Sequence, residues 1–206
     1  GGSLPLPIEI IETNTIGPIL GSRNIIKSLY AAILGLIFVG LFMILNYRIL
    51  GLISVISLVF YGFFNLAIYS LIPVTLTLPG IAGLILSIGM AVDANILIFE
   101  RVRDELKNGN TLIRSIDNGF LRANSSIIDG HITTLISCFV LFILGTNFVK
   151  GFSATLGIGV LISLFTSLNC SKTFLRFITS YQSMRRKNLY IDNLNLKSSL
   201  SNIENQ

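Results

Sequence analysis

Charge is what this sequence has least of. Only 12% of its 206 residues are Asp, Glu, Lys or Arg, against about 25% in a soluble globular domain. Hydrophobic residues make up 52% and the mean hydropathy is +0.77. This balance excludes an ordinary soluble domain and points to a membrane protein. There is no Trp, so any aromatic belt at the membrane surface must come from the 6 Tyr and 14 Phe. The 2 cysteines, Cys138 and Cys170, lie inside apolar runs and read as small hydrophobes. There is no phosphate loop, no zinc-ligand spacing and no nucleophile with a base, so an enzyme is not expected. No signal peptide is visible. The opening "GGSLPLPIEIIE" has no initiator Met, and the chain is expected to be the C-terminal part of a longer protein.

What is present is a series of long apolar runs. A membrane-crossing helix needs about 20 residues. Five runs qualify: 28–46, 49–72, 76–99, 126–148 and 151–177. The fold class expected is therefore an all-α integral membrane bundle of five spans. Pro73 ends the second span and Pro79 suits the first turn of the third. The polar stretch 100–125 is expected to form a connection outside the membrane. Its first part continues the third helix out into water and stops at Gly109. Its second part carries Leu112, Ile113, Ile116 and Phe120 on one face after an N-cap at Asn110 or Thr111. That pattern fits a short amphipathic helix on the membrane surface, or one packed against the span ends.

Residues 1–22 differ in texture. "LPIEIIE" is rich in β-branched residues and reads as a strand left over from an extracytoplasmic sheet. Residues 23–180 form the transmembrane domain, and 181–206 read as a disordered tail. Basic residues fix the expected orientation. Of the 15 Lys and Arg, Arg23, Lys27 and Lys150 fall on one side of the membrane and the other twelve on the opposite side. The side with twelve is expected to be cytoplasmic. The net charge of +5 thus signals membrane topology, and nucleic acid is not an expected partner.

Asp93 is the strongest chemical signal. It lies about 22 Å along the third span, at 1.5 Å per residue. An ionised Asp at such a depth costs about 2.5–3.5 kcal/mol. Ala82, Leu86, Gly89, Asp93, Leu97 and Glu100 share one helical face, where the small residues permit close helix approach. One reading is a carboxylate that takes up and releases protons as its surroundings change. The other is an Asp that holds two helices together. No Lys or Arg lies at matching depth, so a cationic partner is expected from another subunit. Asp129 and His131 form a second polar cluster near the expected start of the fourth span. Asp129 suits either a helix dipole or a proton path. Thr133 and Thr134 are expected to bond back to helix carbonyls. Arg101 and Glu105 are spaced to pair along one helix. Gly151, Gly157 and Gly159 suggest close packing of the fifth span.

The stretch "LPGIAGLILSIGMAVDANILIFERVRDELKNG" resembles the SecD side of the SecD/SecF family of protein-export membrane subunits. "LPLPIEIIETNTIGPILG", "SIIDGHITTL" and "GTNFVKGFSATLGIGV" continue the resemblance in order across residues 4–176. It implies half of an RND-type transporter that pairs with SecF and associates with the SecY/SecE/SecG channel. It implies that the proton gradient drives late steps of preprotein translocation, with the proton as coupling ion and no other cofactor. It places the proton relay on Asp93 and Asn95 of the AVDAN motif and on Asp129, Thr133 and Thr134 of a DxxxTT-type motif. The membrane implied is the inner (plasma) membrane, or a thylakoid in a cyanobacterium or plastid. The rival functions are an RND-type proton-coupled exporter of small molecules and a purely structural assembly subunit.

Overall fold

A computed structural model describes residues 18–72 and 77–180. Among these the chain is helical and contains no strand. The helices are α1 (Pro18–Tyr47), α2 (Ile49–Leu71), α3 (Leu78–Lys107), α4 (Leu112–Leu144), α5 (Asn147–Phe165) and α6 (Ser171–Ser180). A π-helical turn, Thr166–Cys170, joins α5 to α6. The last three form one continuous rod, so five helical segments are long and apolar enough to cross a membrane. The expected strand, "LPIEIIE", lies outside the described residues. The expected tail, 181–206, also lies outside them.

Local chemistry sets the helix ends. The Thr77 hydroxyl accepts from the Gly80 amide at 3.3 Å, and Pro79 occupies the first turn of α3, where its missing N–H costs nothing. The helix ends at Lys107, and Gly109 follows with φ 85°, a conformation open to glycine without strain. The α1–α2 turn is a single residue, Arg48, with φ 50°. Gly51 makes this turn possible: a Cβ there would sit 2.0 Å from the Met43 carbonyl oxygen.

α3 is the central element and packs against α1, α2, α4 and α5. Its contact with α5 runs along small residues. The Thr155 hydroxyl lies 2.9 Å from the Gly80 carbonyl, across the interface. Farther along, Tyr61 on α2, Ser87 on α3 and Gly159 on α5 meet. Tyr61 Oη and Ser87 Oγ are 2.6 Å apart, and Ser87 donates to the Leu84 carbonyl. Close approach of this kind is how helices hold together where lipid removes the hydrophobic drive. Gly151 and Gly159 do pack closely, as the sequence suggested, while Gly157 has room for a Cβ at 3.7 Å from its nearest neighbour.

In 100–125, α3 runs on to Lys107 as expected, and of the two readings of the helix after Thr111 the structure takes the packed one. The correction is that this helix is not separate: it is the start of α4, so α3 and α4 leave the apolar zone as a helical hairpin with a four-residue turn. Leu112, Ile116 and Phe120 are buried in the core that holds Val102 and Leu106, and Ile113 faces outward. Gly119 seats against Val102, where a Cβ would meet backbone at 2.8 Å. Glu105 lies at the centre of the hairpin and is buried. Its Oε1 pairs with Arg122 Nη1 at 2.7 Å, and Oε2 accepts from Asn110 at 2.7 Å and Asn118 at 3.2 Å. The pair expected within α3, Arg101 with Glu105, does not form. Arg101 reaches Asp104 instead, because the Glu105 side chain turns inward. Arg122→Ala should leave a buried carboxylate oxygen without its cationic partner, at a cost of about 1–3 kcal/mol. Amide hydrogen exchange should speed up in residues 105–120 and stay unchanged in α5; equal exchange in both proteins would refute the pairing.

Candidate functional site: an open groove beside an intramembrane carboxylate

Asp93 lies on the part of α3 that other helices of this chain leave uncovered. Ala82, Leu86, Gly89 and Asp93 are all exposed. A Cβ at Gly89 would meet nothing within 4 Å. Among the described residues Asp93 has no hydrogen-bond or ion-pair partner. The small-residue face expected to meet another helix therefore meets none among the described residues.

Asp93 borders a groove between α3 and α4 with a volume of about 190 Å³. Met90 and Leu97 of α3 and Ser126, Gly130 and His131 of α4 line it with Asp93. Gly130 faces open space, so α4 leaves the carboxylate accessible. The groove is small, mostly apolar and open on one side. It suits a solvent-sized path to a carboxylate better than a site for a bulky ligand.

The structure separates the expected relay residues. Asn95, two positions after Asp93, is turned about 200° around the helix and is buried. Its Oδ1 accepts from Ser171 Oγ at 2.6 Å, and that hydroxyl is 2.9 Å from Ser57 Oγ. Asn95 thus ties α3 to α2 and to the start of α6, away from the groove. Asp129 and Thr133 are exposed on α4. The Thr133 hydroxyl donates to the Asp129 carbonyl at 2.8 Å, and Thr134 to the Gly130 carbonyl at 2.9 Å. Both threonines bond back to the helix, as expected.

Asp129 does not sit in a first helical turn. α4 starts at Leu112, so Asp129 is nearly five turns in at about 3.6 residues per turn. The dipole explanation fails because its effect fades within the first turn. The same shift moves His131 from the span's edge to the groove beside Asp93. His131 is buried, with Nδ1 2.8 Å from the Ile127 carbonyl and Nε2 2.8 Å from Ser163 Oγ of α5. Ser57, Ser163 and Ser171 were missed in the sequence, since a serine in an apolar run gives no signal of the partner it will find.

One end of the bundle collects the basic residues. Arg103 stacks over the Tyr47 ring at 5.2 Å, beside the α1–α2 turn. Lys172 lies over Phe120 at 5.8 Å, and Arg176 pairs with Asp117. The turns after α1 and α3 and the end of α6 therefore share that end.

Five helical segments long and apolar enough to cross a membrane, packed around a small-residue seam with a carboxylate on an open face, define the class: a polytopic membrane protein. The family model for "Protein export membrane protein SecD/SecF, C-terminal" matches residues 4–181, and the chain belongs to this family. It is 63% identical over 201 residues to the protein translocase subunit SecD of Prochlorococcus marinus, covering 98% of this chain and 41% of that one. It is 54% identical over 196 residues to SecD of Synechocystis sp., covering 94% and 42%. The crystal structure of SecDF, a translocon-associated membrane protein from Thermus thermophilus, superposes with a TM-score of 0.79 at 36% identity, over 82% of this chain and 24% of that one. The chain thus spans about two fifths of the length of the SecD relatives it matches.

Proposed function

We propose that this chain is the membrane part of an accessory subunit of the Sec protein-export machinery. It uses the proton motive force to promote late steps of preprotein translocation. The supporting observation is the uncovered Asp93 beside a groove, in a chain whose relatives are named translocase subunits. An intramembrane carboxylate without a partner among the described residues is costly to keep. Water entering the groove and a helix from a second subunit, SecF in this reading, supply the two environments between which Asp93 gains and loses a proton. Asp129, one residue before Gly130 of the groove, extends the polar path along α4. Thr133 and Thr134 shape that path through their helix bonds, and Asn95 acts from the core by holding α3 in register.

The partners in this reading are SecF, the SecY/SecE/SecG channel, the moving preprotein and the bilayer. The end with the basic residues is the cytoplasmic one, in the inner (plasma) membrane or, in a photosynthetic source, a thylakoid. The proton is the coupling ion and the function is transport. The test is preprotein export by the full-length protein carrying Asp93→Asn, with and without a proton gradient. Export that keeps its full gradient dependence overturns the reading.

A further inference from the structure

His131 offers a second place for a proton. Its two ring nitrogens each have one oxygen partner, and the two partners differ in kind. The Ile127 carbonyl only accepts, so Nδ1 carries a hydrogen in every state. Ser163 Oγ is adaptable. It lies 2.8 Å from His131 Nε2 and also 2.8 Å from the Val160 carbonyl. When Nε2 is bare, the Ser163 hydroxyl donates to it. When Nε2 carries a proton, Nε2–H donates to Ser163 Oγ and the hydroxyl turns to Val160. Both charge states of the buried ring are therefore fully hydrogen-bonded.

We infer that His131 is a second protonatable group of the Asp93 groove, the cation that this chain itself provides opposite the ionised carboxylate. The groups facing it are few. α3 contributes Asp93 across the groove. α5 contributes only hydroxyls here, since its one charged residue is Lys150 near its start. The charged residues of α6, Lys172 and Arg176, are engaged with Phe120 and Asp117, about three to four turns away along α4. On α4 itself the nearest charge is Asp129, which is exposed. Protonation adds one proton from water at Nε2, and the reverse step returns it to water. A charged His131 favours ionised Asp93, and loss of that proton favours the protonated carboxyl. The two groups then respond together to the arrival of a proton.

This inference rests on the proposed proton coupling, and its test separates the two. The full-length protein in lipid nanodiscs is labelled with ¹⁵N in its histidine rings, and the His131 signal is assigned by its loss in His131→Gln. The signal should pass from neutral to doubly protonated between pH 5 and 8. In Asp93→Asn its midpoint should move to lower pH, because the negative charge on the same groove is gone. A ring that stays neutral across this range, or a midpoint identical in both proteins, overturns the inference. If Asp93→Asn abolishes gradient-dependent export while the His131 signal is unaffected, only the inference falls. If Asp93→Asn exports with full gradient dependence, the proposed function falls, and with it any role of His131 in transport.

Discussion

Full-length protein carrying Asp93→Asn should lose the gradient-stimulated part of preprotein export, a fall of about 100-fold or to assay background. A positioned side chain that gives and takes a proton is worth about 10²–10⁴ in rate, and an amide does neither. The change isolates chemistry from folding. Asn has nearly the size of Asp, and Asp93 is exposed without a hydrogen-bond partner among the described residues. Thermal stability of the purified protein should therefore be unchanged or slightly higher, since an intramembrane charge is removed. Asp93→Glu keeps the proton and should retain part of the activity, because Leu97 and Gly130 leave the groove open. Equal loss in Asp93→Asn and Asp93→Glu, with both proteins unfolding early, would mean that the carboxylate is an assembly device.

Gly83→Val should be the most damaging change to the bundle itself. A Cβ at this position would lie 2.6 Å from Thr155 Oγ1, 2.7 Å from the Phe152 carbonyl oxygen and 3.2 Å from the Leu156 amide. Two of those atoms belong to the α5 backbone, which cannot swing aside as a flexible side chain can. Either α3 and α5 separate, breaking the Thr155–Gly80 hydrogen bond, or the valine is held under strain. Overpacking costs about 1–3 kcal/mol, occasionally more, and this site belongs at or above the top of that range. Thermal unfolding of the full-length protein in detergent should show a clear drop in Tm. Gly89→Val provides the contrast: nothing lies within 4 Å of its added Cβ. The protein purified alone should keep its Tm. If Gly89→Val costs as much as Gly83→Val, the packing of α3 described above is wrong.

The spans were legible because lipid demands long apolar runs, and that demand leaves few alternatives. The run of α3 past Glu100 to Gly109 was legible as well, but the start of α4 was not, and the reason is physical. Polar residues lower the hydropathy ahead of the fourth span, but backbone hydrogen bonding has no cause to break between them and the apolar run. Glu105 with Arg122, and Val102 against Gly119, carry both helices onward. One misplaced boundary then displaced two residues at once, putting Asp129 in a first turn and His131 at a membrane edge. Asp93 was legible because charge in an apolar run is rare. Its separation from Asn95 was also open to view, since two residues on a helix face nearly opposite ways. Grouping them by motif obscured that spacing. The hydroxyl contacts of Ser57 and Ser171 depend on which helices become neighbours, which no local pattern records.

The π-turn at Thr166–Cys170 changes the phase of everything after it. It accommodates one residue more than an α-helical turn, which winds the downstream chain back by about 100° relative to an unbroken helix. Ser171, Leu175 and Thr179 are the residues that face the core. Without the extra residue, that track would fall on Cys170, Phe174 and Ile178. The wide turn thus acts as an indexing step in a screw thread. It aligns a hydroxyl, in place of a thiol, with Asn95, so the lower third of the last span is keyed to the same helix that carries Asp93.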